Sequence, residues 1–240
     1  MPAVPRLTTI GFDADDTLWQ NEQFYQMTQA RFLELLKDHA DPKELPDRLL
    51  KVMLRNIGTY GFGIKSFTLS MVETAIEVTE GRAPASVISE ILAAGREMAA
   101  HPVETLPHAR ETLESLAGKY RLVLITKGDL FDQERKVAQS GLGELFEAVE
   151  IVSDKTRSTY ERVFSRHGDG PEKSMMIGNS LKSDVLPAIA AGSWGVYVPH
   201  DLTWAYEHAE TPAGEARFRQ IAHLGEVAPL IDQITRGKAA

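Results

Sequence analysis

The sequence predicts an α/β fold: a mainly parallel sheet with helices on both faces, into which a helical segment is inserted. Three observations lead there. Short, nearly continuous apolar runs recur along the chain, longer stretches of helical period separate them, and more than a hundred residues lie between the first run and the second. Apolar runs joined by helices describe strands buried on both faces, as a parallel sheet requires.

The first run is Leu7 to Phe12 and ends in the acidic stretch Asp13-Ala14-Asp15-Asp16. Between Trp19 and Ala100 the period is helical: Phe24, Met27, Phe32, Leu35 and Leu36, then Leu49 to Leu54, Phe67 to Val78, and Val87 to Met98. Gly81 before Ala83-Pro84 reads as a helix stop followed by a start with proline in the first turn. These patterns predict an insert of about four helices. The second strand is Leu122 to Thr126, the third Ala148 to Val152, the fourth Met175 to Ile177 and the fifth Gly195 to Val198. The tail from Phe218 to Ile234 has the apolar content for a final strand and helix. Residues 1–18 and 101–240 are thus assigned to a core and residues 19–100 to an inserted helical cap.

Composition narrows the function. A chain of 240 residues with 43% hydrophobic content can bury a sizeable core. The net charge is −8 and no dense Lys/Arg cluster occurs, which disfavours nucleic acid as a partner and points to a small molecule. An anionic ligand would need local positive charge from a metal ion or a few placed lysines. The absence of cysteine excludes disulfides, thiolate zinc sites and cysteine nucleophiles. The seven histidines show no metal-ligand spacing. Residues Met1 through Pro5 carry no basic leader pattern, and no apolar run reaches membrane-spanning length, so a cytoplasmic protein without a membrane partner is expected. The sequence does not specify an oligomeric state.

Ligands of open α/β sheets sit beyond the carboxyl ends of the strands, and each of the strand ends here is polar. Phe12-Asp13-Ala14-Asp15-Asp16-Thr17-Leu18 places three carboxylates at one strand end, an arrangement that a divalent cation with oxygen ligands would relieve. This stretch resembles the first motif of the haloacid dehalogenase (HAD) superfamily. The other strand ends continue the resemblance: Thr126 in Leu124-Ile125-Thr126-Lys127-Gly128, Lys155 in Ser153-Asp154-Lys155-Thr156, and Gly178-Asn179-Ser180-Leu181-Lys182-Ser183-Asp184, with Asn179 where an aspartate is more usual.

The resemblance implies a Rossmann-like core and a set of roles. Asp13 is the expected nucleophile, attacking phosphorus to form an aspartyl-phosphate. Asp15 is the expected general acid and then general base. Its presence favours phosphate esters, because halide displacement requires no proton for the leaving group. Thr126 and Lys155 would hold the phosphoryl group, with Arg157 and Lys136 as rivals for the lysine's charge. Asp16 reads as a turn residue. Mg²⁺ is the implied cofactor, held by the Asp13 carboxylate, the Asp15 carbonyl and either Asn179 or Asp184. Lys127 and Gly128 are expected to contact substrate. So are Tyr60, Phe62 and Lys65, from a glycine-rich turn spanning Gly58 to Phe67 in the cap. The function expected is a Mg²⁺-dependent phosphatase of a small phosphorylated metabolite. A phosphomutase, a metal-independent dehalogenase and a non-catalytic binding protein on the same scaffold are the competing readings.

Overall fold

The computed structural model describes residues 6–236; residues 1–5, on which the expectation of no leader partly rests, lie outside them. The strands are β1 (Thr9–Phe12), β2 (Arg121–Lys127), β3 (Ala148–Val152), β4 (Ser174–Gly178), β5 (Trp194–Tyr197) and β6 (Phe218–Gln220). The helices are α1 (Glu22–Leu36), α2 (Leu45–Tyr60), α3 (Ile64–Val78), α4 (Ala85–Ala100), α5 (Ala109–Leu116), α6 (Leu130–Ser140), α7 (Arg157–His167), α8 (Leu186–Ala190) and α9 (Val227–Thr235). All five apolar runs are strands, and the tail supplies the sixth strand and the last helix.

The chain divides into two compact units. One comprises Met1–Glu22, Val103–Thr126 and Lys136–Ala240, the other Gln23–Pro102 and Lys127–Arg135. The sequence reading draws its breaks at 18/19 and 100/101 and leaves residues 127–135 in the core; the structure groups that short stretch with the helices of the insert.

In the first unit the sheet order is β3-β2-β1-β4-β5-β6. β1 pairs in parallel with β2 and β4, β4 with β5, and β5 with β6. The chain runs outward from β1 to β3, then returns to the other side of β1 for the remaining strands. That reversal opens a crevice beyond the carboxyl ends of β1 and β4.

Alternation along each strand supplies two buried faces. Ile10, Phe12, Leu122, Leu124, Met175 and Ile177 face a core closed by α5 and α9. Val123, Ile125 and Met176 face the opposite way, against Tyr160, Val163 and Phe164 of α7 and Ala188 of α8. Gly11 lies on this second face, where a Cβ would stand 3.1 Å from Ile125, Met176 and Phe164 alike. Its missing side chain is what lets α7 approach β1 so closely.

The second unit has its own core, built from one stripe of each of α1 to α4: Phe32 and Leu36, Leu45 and Leu49, Phe67 and Met71, Val87 and Ile91. Each pair is four residues apart, the spacing that puts two side chains on one helical face. Two sequence expectations are corrected in this unit. Gly58 to Phe67 is not a turn throughout: Gly58 to Tyr60 complete α2, Ile64 to Phe67 begin α3, and only residues 61–63 connect them. Pro84 precedes α4 as its N-cap instead of standing in the first turn. No described helix is long and apolar enough to cross a membrane.

Candidate active site

Phe12 is paired with Leu124 on one side and Ile177 on the other, so Asp13 and Asn179 follow the ends of β1 and β4, while Thr126 stands near the end of β2, between them and β3. The Asp13 backbone N–H still donates to the Ile177 carbonyl at 2.9 Å, which keeps its side chain in register with β4. Asp13 is only 6% exposed, and Thr126, Lys155, Asn179 and Asp184 are buried as well.

The centre of the site is one ammonium between two carboxylates. Lys155 Nζ donates to Asp13 Oδ1 and, at 2.7 Å, to Asp184 Oδ1. Lys155 is placed by the loop between β3 and α7, where Thr156 caps the helix by accepting from the Thr159 N–H. Asp184 lies in the turn of π-helix Leu181–Val185, and its Oδ2 accepts from the Ser180 backbone N–H at 3.0 Å. Ser180, not Asp184, caps that turn, its hydroxyl accepting from the Ser183 N–H. Gly178 makes the arrangement possible, because a Cβ there would fall on the Asp184 carboxylate.

This triad carries a surplus negative charge. Burial first, and then the Asp184 carboxylate, push the Asp13 carboxyl up to about 7 although Lys155 opposes them. Burial by itself would lower the Lys155 ammonium, but Asp13 and Asp184 outweigh it and hold it above its ordinary value. One cation shared by two anions leaves one charge without compensation, and a further cation beside Asp13 would compensate it.

The chemistry of the donor set around Asp13 Oδ2 fits such an ion. Oriented to satisfy its neighbours, the Asn179 amide nitrogen lies 3.2 Å from Asp13 Oδ2, 3.2 Å from the Asp15 carbonyl oxygen and 3.3 Å from Thr17 Oγ1. The Thr17 hydroxyl donates to Asp13 Oδ2 at 3.1 Å and accepts from the Asn179 backbone N–H at 3.1 Å. Turning the amide would present its oxygen beside one carboxylate and one carbonyl oxygen. Three hard oxygen donors of which one is charged suit magnesium, which keeps several waters. Among the described residues no group of three or more His, Cys, Asp or Glu side chains is gathered to hold a metal.

Asp15 turns to other partners. Its carboxylate accepts from Lys136 Nζ at 2.6 and 2.8 Å and from Trp19 Nε1 at 2.7 Å. Asp16 stands at φ 58° and accepts from the backbone N–H groups of Asn21 and Glu22 at the start of α1, the local role of a capping turn. Burial first raises the Asp16 carboxyl, to about 6. The three rivals for one positive charge are therefore separated: Lys155 meets Asp13, Lys136 meets Asp15, and Arg157 is an exposed partner of Glu161 at 2.7 Å. Thr17 and Trp19, given no role by the sequence reading, each sit four residues from the aspartate they contact, a spacing that was available as a signal.

The remaining sequence candidates belong to the second unit. Lys127 Nζ stands 4.3 Å from the Phe62 ring centroid. Lys65 is exposed and pairs with Asp129 at 3.1 Å. Tyr60 is exposed at the end of α2. Gly128 has φ 144°, and a Cβ there would press on the Gln133 amide, which donates to the Lys127 carbonyl at 2.9 Å.

Comparison with known proteins adds four findings. The profile of the haloacid dehalogenase-like hydrolases matches residues 7–192. A solved haloacid dehalogenase-like family hydrolase from Xanthomonas campestris shares 41% identity, with a TM-score of 0.85 over 97% of each chain. The glyceraldehyde 3-phosphate phosphatase of Methanothermobacter thermautotrophicus is 26% identical over 217 residues, 85% of this chain and 91% of that one. The L-2-haloacid dehalogenase of Xanthobacter autotrophicus shares the fold at 18% identity, with a TM-score of 0.65 over 97% of this chain and 100% of that one. The same architecture thus accommodates more than one hydrolytic chemistry, and side chains must discriminate between them.

Proposed function

We propose, from the premise that this chain belongs to the haloacid dehalogenase-like hydrolase family, that it is a Mg²⁺-dependent phosphatase of a small phosphorylated metabolite. One observation carries the reading: two aspartates two residues apart leave the end of β1 in different surroundings, Asp13 against Lys155 and Asp15 against Lys136. Two carboxylates held apart by separate cations suit two separate tasks. The likeness to a glyceraldehyde 3-phosphate phosphatase supports a phosphorylated small molecule as substrate.

In this mechanism an Asp13 oxygen attacks phosphorus and forms the new O–P bond. The bond to the leaving oxygen breaks with its electron pair, and that oxygen takes a proton from Asp15. A water molecule then attacks the aspartyl-phosphate while Asp15 takes a proton from it, and the broken acyl P–O bond returns its electrons to the Asp13 carboxylate. The sum is ester plus water to alcohol plus phosphate. Lys155 and the Thr126 hydroxyl orient the phosphoryl oxygens, and fixed positive charge there is what phosphoryl transfer needs. Magnesium, when bound, supplies further charge neutralisation at the phosphoryl oxygens. Asp13 Oδ2, the Asp15 carbonyl and the Asn179 amide oxygen would hold it. Asp184 is assigned to positioning Lys155, whose ammonium it shares with Asp13 while its other oxygen accepts from the Ser180 N–H.

The test is phosphate release from a panel of phosphorylated metabolites, glyceraldehyde 3-phosphate included, with Mg²⁺ and with a chelator. At least one compound should turn over with Mg²⁺ only, and Asp13→Asn should lose roughly a thousandfold or more of that rate. Equal and slow release by wild type and Asp13→Asn on every compound would defeat the proposal.

A further inference from the structure

We infer that Lys136 is the positioning residue for the acid/base step, fixing the Asp15 carboxylate together with Trp19; this inference rests on the phosphatase reading above. The observations all belong to the first unit. Lys136 is 7% exposed, an unusual fate for a lysine, and it lies 121 residues from Asp15 in the chain. Desolvating an ammonium is costly unless good partners meet it. Those partners are both oxygens of Asp15, at 2.6 and 2.8 Å, and the Asn21 side-chain oxygen at 3.2 Å.

Trp19 is a second donor and contributes a third hydrogen bond, at 2.7 Å, from a fully buried ring. Its backbone is tied to the same turn: Asp15 and Trp19 form a β-bridge, and the Asp16 N–H donates to the Trp19 carbonyl at 2.7 Å. Trp19 also bridges to Thr105, so the indole is anchored on two sides. Three hydrogen bonds from two donors on one carboxylate hold both its position and the plane of its oxygens. A proton-transfer group requires such placement, because a misplacement on the order of 1 Å costs about a hundredfold in rate. Lys155 is engaged by Asp13 and Asp184, so the second buried lysine serves Asp15.

The experiment compares kcat/KM of Mg²⁺-loaded wild type and Lys136→Met on two probes. An alkyl phosphate needs a proton on its leaving oxygen; p-nitrophenyl phosphate does not. kcat/KM reports the steps up to departure of the leaving group, where only the alkyl ester needs the acid. If Lys136 positions Asp15, the loss on the alkyl ester exceeds the loss on the aryl ester by roughly tenfold or more. In an Asp15→Asn background, Lys136→Met then changes alkyl turnover by no more than about twofold. Equal losses on both esters, or the same loss with and without Asp15, would overturn the inference. Should Lys136→Met fail to give a cooperative melt, Lys136→Gln is read by the same two comparisons. The alkyl ester is the phosphorylated metabolite that wild type turns over best in the panel above; wild type inactive on every compound of that panel would instead defeat the phosphatase reading, and this inference with it, before any variant is needed.

Discussion

Asp13 answers two demands that conflict. As the proposed nucleophile it must be ionised and aimed at the crevice, yet burial and the nearby Asp184 favour its neutral form. Catalytic groups often destabilise the fold that holds them. Asp13→Asn should therefore not lower the melting temperature of the metal-free protein at pH 7.5, because Lys155 keeps Asp184 as its partner and the surplus charge disappears. A rise of a few degrees is the expected outcome by thermal unfolding, and a fall of similar size would show that the Asp13–Lys155 pair stabilises more than its crowding costs.

At the scale of elements, the end of β4 and the π-helical turn after it are built around a missing side chain. Gly178→Ala would push a methyl group into the Asp184 carboxylate, itself tied to Lys155 and to the Ser180 N–H. The expected cost is about 1–3 kcal/mol in stability, as for other overpacked sites, with at least a tenfold loss of kcat/KM as Lys155 follows its partner. Gly58 is the contrasting case. It lies on an exposed face of α2, and a methyl group added there would meet nothing within 4 Å, so Gly58→Ala should stabilise by up to about 1 kcal/mol. Denaturant melts of the two variants should move in opposite directions; a shift of the same sign would contradict the packing argument.

Across the whole molecule, acid sensitivity should concentrate at the sheet edge formed by β3. Glu150 reaches from that strand to His167 at 2.6 Å, Arg166 at 3.2 Å and Arg162 at 3.5 Å on α7. Burial alone would raise its carboxyl, but the hydrogen bond from His167 and the two arginines hold it below its ordinary 4.5. A folded value below the unfolded one means that the unfolded chain binds more protons in the window between them. The stabilisation is thus present above about pH 4.5 and is lost as pH falls through the folded value. Glu150→Gln should be less stable than wild type near pH 6, and the gap should close as pH drops toward 3. A gap that persists unchanged at pH 3 would show that these charges do not set the acid limb.

The sheet, its helices and the convergence of the four polar strand ends were legible in the chain because they rest on local pattern: apolar runs of strand length, helical period between them, and acidic or hydroxyl residues just beyond. Lys155 could be picked out by its place after the third strand. Which lysine faces which aspartate could not. Lys136 lies within a helix, where a lysine ordinarily points to water, and only the folding of α6 against the β1 turn reveals that it is buried on Asp15. Nor could the sequence show that Asp184 shares the Lys155 ammonium with Asp13, since that depends on where Lys155 and the Ser180 N–H point. Residue type and spacing determined the kind of chemistry, whereas the pairing of charges was decided by tertiary structure, because the Coulomb energy of a buried pair depends on distances between groups that the linear chain leaves far apart.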